Sequence, residues 1–172
     1  MPVGEVDQSL LAELAKQLEK VFDRACQVEQ VLPYPWPAYD SGRDQYRAQI
    51  VLDVISGLTY TPAERLLGVV DLDLYTPRLN FVFGLATMDG REAIIALSRL
   101  CQSFYSLPQD PELFHERGLK ERVHELGYTY SLRHCPDPHC VMYFSNSLPD
   151  TDHKSHRFCP RCAGRLAAKI QS

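Results

Sequence analysis

Six cysteines are the residues of this sequence with the most distinctive chemistry, and four of them form two close pairs. Four residues separate Cys135 from Cys140 and two separate Cys159 from Cys162, with prolines inside each pair. Tight turns allow both sulfurs of a pair to face one point, and four thiolates complete the closed tetrahedral shell of a structural zinc ion. The spacing therefore predicts one structural zinc held by these four cysteines.

Two alternatives to a site of four cysteines remain open from the sequence. The four cysteines could be unrelated, or a nearby histidine could replace one sulfur, and His139, His153 and His156 are the candidates. Four thiolates around Zn²⁺ carry a net negative charge, which basic side chains could offset. Arginines surround the predicted ligands: Arg133, Arg157, Arg161 and Arg165.

A second group of metal-binding residues lies just before the first cysteine. The segment from His124 to Tyr128 has the layout of a His-Glu-x-x-His helix, with Glu125 in place and Tyr128 at the second histidine. In the full motif two imidazoles one helical turn apart reach one metal, and the glutamate takes a proton from the metal-bound water. A His-Glu pair on its own more often marks a solvated helix surface.

The wider segment resembles the archaemetzincins, a family of metzincin-type zinc peptidases. Their signature is His-Glu-x-x-His-x-x-Gly-x-x-x-Cys, then a second cysteine after four residues, a methionine two residues later and a distant Cys-x-x-Cys. The cysteine half of this signature matches fully, and Met142 follows Cys140 at the required spacing. Compatible upstream segments, Pro35-Trp36-Pro37 and Gly42-Arg43, extend the resemblance over most of the chain.

The resemblance implies an α+β fold with a single metzincin-like domain: a twisted mixed sheet with packed helices, an active-site helix and a zinc-stapled C-terminal segment. It implies hydrolysis of a peptide or protein substrate with two zinc ions, one structural and one catalytic. Carried over by position, His124 and His134 bind the catalytic zinc and Glu125 is the general base. Met142 is then the methionine of the turn beneath the metal. Without the resemblance, Met142 is a core methionine and His134 a surface histidine.

Two residues depart from the family signature. Tyr128 stands at the middle histidine, and Ser131 stands at the glycine where the helix must turn towards the third ligand. Glycine accepts a positive φ without cost and serine does not, so Ser131 could misplace His134. Tyr128 could bind a metal as phenolate, but its oxygen lies further from the backbone than a histidine nitrogen. The favoured interpretation is that Tyr128 packs into the site.

Two functions from different classes follow. The first is a zinc peptidase of weakened activity, in which the metal activates water and Glu125 passes its proton to the leaving amine. The second is a catalytically inactive pseudo-peptidase that keeps only the structural zinc and binds peptides or protein partners. A redox or iron site that includes Glu125 is disfavoured, because Glu125 points about 100° away from His124 on a helix.

Composition and charge argue against other classes. The 172 residues suit one domain with a hydrophobic core, and a net charge of −4 argues against a nucleic-acid partner. Apolar runs are too short to span a membrane and the N-terminus is not a secretion signal, so no membrane partner and a cytoplasmic location are expected. In a reducing cytosol, clustered cysteines favour a metal over disulfides. Cys26 and Cys101 stand apart and are expected to be buried.

Hydrophobic periodicity predicts the elements that position these residues. Helices are predicted over three ranges: 9–27, 46–58 and 111–130. Strands are predicted over four ranges: 28–32, 66–74, 80–88 and 92–99, the last with a helix start as its alternative. Asp7 or Ser9 caps the first helix, Gly57 closes the second and Asp110 caps the third. The segment Met88-Asp89-Gly90-Arg91 is typical of a β-hairpin turn.

The remaining segments are predicted to be irregular. Residues 33–39 are proline-rich and favour a rigid connector over a recognition loop. After residue 131 the chain becomes too polar to order itself without a metal, so residues 1–131 are predicted as a sheet-and-helix part and residues 132–172 as an irregular zinc-stapled segment. Helices are expected on one side of a small sheet. The helix over 111–130 should bury an apolar stripe: Leu113, Phe114, Leu119, Val123 and Leu126.

Overall fold

The computed structural model describes residues 1–58 and 63–171, which form two four-stranded sheets and five α-helices. The strands are β1 (Pro2–Val3), β2 (Tyr39–Asp40), β3 (Gln45–Arg47), β4 (Leu66–Val70), β5 (Leu74–Thr76), β6 (Leu79–Val82), β7 (Gly84–Ala86) and β8 (Glu92–Ala96). The helices are α1 (Gln8–Phe22), α2 (Ala48–Ser56), α3 (Pro111–Thr129), α4 (Leu148–His153) and α5 (Pro160–Ile170). The predicted α+β fold is confirmed.

The first sheet has the strand order β1-β4-β8-β7. Strand β4 is parallel to β1 and to β8, whereas β7 is antiparallel to β8 and lies at the edge of the sheet. Strands β7 and β8 form the predicted hairpin, and Asp89 in the turn between them adopts a positive φ of 58°. The edge strand β7 packs against α3 and so belongs to the surroundings of the candidate site.

Helices cover both faces of this sheet, so the expectation of helices on one side is wrong. Val70 and Ile94 belong to an apolar cluster with α2, whereas Val69 and Ile95 belong to a cluster with α1. Successive residues of a strand point to opposite faces, which explains the division. Strands β4 and β8 are buried on both faces, which is typical of parallel pairs and hides any alternating pattern in the sequence.

The second sheet has the order β2-β3-β5-β6. Its strands explain why two predicted strand ranges and the predicted start of the second helix are wrong. The predicted strands over 66–74 and 80–88 each divide into two, because β5 and β6 pair in this sheet while β4 and β7 pair in the first. Residues 45–47 pair with β5 as a strand, so α2 begins two residues later than predicted. Residues 28–32 form no strand, and Leu32 makes only an isolated bridge with Val3.

The helix caps follow the sequence closely. The carboxylate of Asp7 accepts hydrogen bonds from the first turn of α1, and that of Asp110 accepts one from Leu113 N at 3.0 Å. Helix α1 ends five residues earlier than predicted, because Asp23 adopts a left-handed conformation with a φ of 53°. Helix α2 ends at Gly57 as predicted. The 33–39 connector contains a short 3₁₀ turn, Trp36–Ala38.

Helix α3 is buried on all sides over its second half. Leu119, Val123 and Leu126 are buried as predicted, but Leu113 and Phe114 are only half-buried. The charged residues of this part are buried as well: Arg117, Lys120, Glu121, Arg122 and Glu125. Sheet, α1 and the C-terminal segment enclose this half of the helix, so it shows no polar face to solvent.

The C-terminal segment is more regular than predicted, because it contains α4 and α5. Its cysteines, Leu166 and the α1 residues Leu18 and Phe22 share one apolar cluster with α3. The division at residue 131 stays a prediction, and Ser172 lies outside the described residues. Cys26 and Cys101 are half-buried rather than buried. Among the described residues, no helix is long and apolar enough to cross a membrane.

Candidate active site and cysteine metal centre

The four paired cysteines converge on one point of the C-terminal segment. Their sulfurs all lie within 4.8 Å of one another, and the sulfurs of Cys135 and Cys159 are 3.8 Å apart. Tetrahedral zinc with Zn–S bonds of about 2.3 Å needs sulfurs about 3.8 Å apart. Cys159 is the N-cap residue of α5, and Cys162 lies in the first turn of that helix. The donor set and its spacing therefore fit a structural zinc ion.

The histidine alternative finds no support in this geometry. Among the residues that the structure describes, the metal-binding group consists of the four cysteines alone. His139 and His153 instead pack against each other, with ring centroids 5.1 Å apart.

Arg161 donates a hydrogen bond to Cys135 Sγ at 3.2 Å. Burial alone would raise the pKa of Cys135, but hydrogen bonds from the Asp137 amide and Arg161 lower it to about 7.

Met142 lies directly beneath the helix that carries the predicted catalytic residues. It is fully buried, and a Cβ atom placed on Gly127 would approach its sulfur to 2.5 Å. The Cys135 amide donates to Met142 O at 2.9 Å, which ties the cysteine centre to this turn. A side chain larger than hydrogen at residue 127 would separate α3 from the methionine. Close packing against Met142 therefore explains why residue 127 is a glycine.

Ser131 adopts the left-handed conformation expected where the family has glycine, with a φ of 61°. Its hydroxyl donates a short hydrogen bond to Asp89 Oδ1, and the Asp89 amide donates to Tyr128 O at 3.1 Å. Hydrogen bonds from Ser131 and then Lys169 lower the pKa of Asp89. The serine thus adopts the left-handed conformation that a glycine would take, and His134 reaches the cleft, with its ring centroid 5.7 Å from that of His124.

A cleft of about 310 Å³ brings the predicted catalytic residues together. Helix α3 contributes His124, Glu125 and Tyr128, and the following turn contributes His134. Strand β7 passes close to this group, because a Cβ atom on Gly84 would lie 2.5 Å from Glu125 Cγ. Phe144, Ser145 and Asn146 line the cleft from the C-terminal segment.

His124 and Glu125 are both buried from solvent. His124 Nδ1 donates to Val141 O at 2.8 Å, which leaves Nε2 as the nitrogen available to the cleft. Burial lowers the pKa of His124 to about 4, with a smaller contribution from the Lys154 charge. Burial, together with the Glu121 carboxylate, raises the pKa of Glu125 well above its ordinary value. Both groups therefore favour their neutral forms in the absence of a ligand.

Tyr128 stands at the position of the missing histidine and is hydrogen-bonded to His134. Its phenol oxygen makes a short hydrogen bond with His134 Nε2. Burial and the nearby carboxylates of Glu125 and Glu121 raise the pKa of Tyr128, so the phenol keeps its proton and donates it. The His134 nitrogen that would hold a metal is thus engaged. Two imidazoles and a protonated phenol do not fit the three-ligand shell of a catalytic zinc.

Sequence reasoning missed two charged residues beside this cleft. Glu121 lines the cleft and pairs with Lys154, with 2.9 Å between Lys154 Nζ and Glu121 Oε1. A signal for Glu121 existed, because it lies three residues before His124 and four before Glu125, on the same helical face. Lys154 comes from the end of α4, and no local pattern predicts its long-range pairing.

Comparisons with known proteins cover both the cleft and the cysteine centre. Residues 38–168 match the model of peptidase family M54. An archaemetzincin of Pyrococcus abyssi is 43% identical over 176 residues, covering 99% of this chain and 94% of that protein. The crystal structure of an archaemetzincin from Methanopyrus kandleri has a TM-score of 0.83 at 37% identity, covering 100% and 96%. A zinc-dependent peptidase from Methanocorpusculum labreanum gives 0.83 at 27% identity, covering 96% and 97%.

Proposed function

Because this chain belongs to peptidase family M54, a family of zinc metallopeptidases, we propose that its cleft binds extended peptides but has lost the catalytic zinc. The observation that carries this proposal is the hydrogen bond between Tyr128 and His134 Nε2. It engages one of the two remaining imidazoles, and the protonated phenol offers no anionic ligand in exchange. Without a metal, Glu125 has no activated water from which to take a proton.

The cleft retains features that suit an extended peptide. Among the described strands, β7 pairs only with β8, so its outer edge is free to add a strand. The lining combines apolar side chains such as Met88 and Phe144 with the polar ends of α3 residues. A peptide that adds to β7 would pass Glu125 and place its side chains alternately into and out of the cleft.

The cysteine centre is proposed to hold the one zinc ion that the chain retains. Its four sulfurs lie within 4.8 Å of one another, and the Cys135 and Cys159 sulfurs are 3.8 Å apart, the separation that tetrahedral zinc requires. Because a cluster of metal-binding cysteines that form no disulfide is favoured by reducing conditions, we propose a cytoplasmic location for the protein. A peptide or protein partner, rather than nucleic acid or membrane, is proposed for the cleft.

Metal content with and without Tyr128→His tests this proposal. We expect the wild-type chain, purified with excess zinc, to hold one zinc ion per chain and to hydrolyse no member of a peptide library analysed by mass spectrometry. Tyr128→His offers three imidazoles and should hold two zinc ions and cleave peptides. Adding Glu125→Ala to that variant is the control, since it should keep both zinc ions and abolish cleavage. Two zinc ions in the wild-type chain would contradict the proposal.

A weak zinc peptidase is the second candidate, and a specific observation favours it. The Tyr128 oxygen, His134 and His124 converge in one cleft, so a metal could recruit the phenolate as its third ligand. In that case the wild-type chain holds two zinc ions and cleaves peptides slowly. Tyr128→Phe would then lose one zinc ion and the activity, whereas under the first proposal it changes neither.

A further inference from the structure

One wall of the cleft consists of residues 143–146, which form neither helix nor strand and are called the cleft wall here. The wall follows Met142, and Phe144, Ser145 and Asn146 line the cleft. An irregular segment has no backbone ladder of its own along its length. The position of the cleft wall must therefore depend on contacts with the elements behind it.

Lys154 supplies such a contact. Its ammonium group donates to Tyr143 O at 3.4 Å and lies 2.9 Å from Glu121 Oε1. The side chains of Lys154 and Glu121 are 0% and 3% exposed, so this ion pair is fully enclosed. Thr151 Oγ1 of α4 donates to the same carboxylate oxygen at 3.2 Å. One buried ammonium thus joins the cleft wall, α4 and α3.

The Glu121 side chain of the ion pair lies on the face of α3 that carries the predicted catalytic residues. Glu121 precedes His124 by three residues and Glu125 by four, which places all three on one side of α3. Burying two charges costs desolvation, and an apolar pair of similar volume is often at least as stable. Stability alone therefore does not explain the pair, whereas an ammonium can hold Glu121 and Tyr143 O at the same time.

We propose that Lys154 is a positioning residue for peptide binding, which fixes the distance between the cleft wall and α3 through Glu121 and Tyr143. This inference rests on the proposed peptide-binding function. The ligand it serves is an extended peptide with an apolar side chain that contacts Phe144 on the cleft wall. Lys154 itself touches no peptide, and its effect passes through the width of the cleft.

The test compares two variants that each remove ion pairing between α3 and the region of α4. Glu121→Leu combined with Lys154→Met removes both buried charges, so no unpaired ion remains in the core. Arg117→Met is the matched control, because Arg117 pairs with Asp152 of α4 at 2.6 Å without touching the cleft wall. The measurements are hydrogen–deuterium exchange, and fluorescence anisotropy with a panel of fluorescein-labelled apolar hexapeptides.

In the double variant we expect amide exchange of the cleft wall, residues 143–146, to rise at least tenfold. Peptide dissociation constants should also rise at least tenfold, with unchanged zinc content. Arg117→Met should change neither. Wild-type exchange and affinity in the double variant would overturn the inference and leave the proposed function standing. If the wild-type chain binds no peptide while exchange rises in the double variant, the proposed function fails instead.

Lys154→Arg provides a second route if the double variant does not fold. Arginine keeps the charge but moves the donors away from Tyr143 O, so the pair with Glu121 can persist while the wall loses its contact. A weakened peptide affinity at an unchanged melting temperature supports a positioning role. An unchanged affinity at an unchanged melting temperature contradicts it.

Discussion

Ser131 shows how a single residue can occupy a glycine position without loss of the local structure. A non-glycine residue in the left-handed region costs about 1–2 kcal/mol, and the Ser131 hydroxyl offsets part of this cost by donating to Asp89. Asp89 belongs to the β7–β8 turn and is also contacted by Lys169. The end of α3 is thereby tied to the edge of the first sheet.

Substitutions of Ser131 separate these two effects. Ser131→Ala keeps the backbone strain and loses the hydrogen bond, so it should lower the free energy of unfolding by about 1–2 kcal/mol. Ser131→Gly loses the hydrogen bond and relieves the strain, so it should stay within about 1 kcal/mol of wild type. Urea unfolding followed by circular dichroism measures both. An alanine variant as stable as wild type would show that the hydroxyl contributes nothing.

At the residue scale, the sequence predicts which residues meet in the cleft better than it predicts the hydrogen bonds between them. The spacing of His124, Glu125 and His134 brings them to one cleft as the resemblance implies. The interpretation that Tyr128 packs into the site agrees with its hydrogen bond to His134. That bond depends on the rotamers of two side chains six residues apart, and a sequence pattern does not fix rotamers. Lys154 escaped prediction because its partner lies 33 positions earlier in the chain.

At the scale of elements, capped helices were predictable and short strands were not. Asp7 and Asp110 cap helices in the structure as their residue type predicts. The apolar runs 66–74 and 80–88 gave no sign that each changes sheet part-way, because the change depends on partners that are distant in the chain. Helix α5 packs with the cysteine centre and α3 in one apolar cluster, and α4 packs against α3, so the order of both helices depends on contacts with distant parts of the chain.

The contact between β7 and α3 gives a prediction at this scale. In Gly84→Ala the added Cβ would lie 2.5 Å from Glu125 Cγ and 2.6 Å from Ile94 O, so backbone has to move. We expect the free energy of unfolding to fall by about 1–3 kcal/mol and peptide affinity to weaken. Chemical denaturation and fluorescence anisotropy measure the two effects.

Gly164→Ala is the matched control for this substitution. Gly164 lies in α5, and a Cβ atom there meets nothing within 4 Å. Alanine at an open helical position should raise the free energy of unfolding by about 0.5–1 kcal/mol. If Gly84→Ala also raised stability, the close approach of β7 to Glu125 would be wrong.

At the scale of the whole molecule, the cysteine centre supports more than the C-terminal segment. Cys135, Cys140 and Cys162 share one apolar cluster with Leu18 of α1 and Val123 of α3. Cys135 is also hydrogen-bonded to Met142 O beneath the cleft. Loss of the metal would leave four buried or half-buried thiolates without a cation to offset their negative charge, in contact with the main helical core. The effect should therefore reach both α1 and the cleft.

Zinc removal tests this coupling. Since metal binding at a thiolate site is linked to folding, a strong chelator should lower the melting temperature by more than 10 °C, equivalent to several kcal/mol. Hydrogen exchange should rise in α5 and also in α1 and in the second half of α3, because they share the core cluster. Cys135→Ser should reproduce the effect without chelator, whereas Cys101→Ser, which lies outside the cluster, should respond to chelator as the wild-type chain does. A chelated chain that loses protection only after residue 131 would show instead that the C-terminal segment folds as a separate unit.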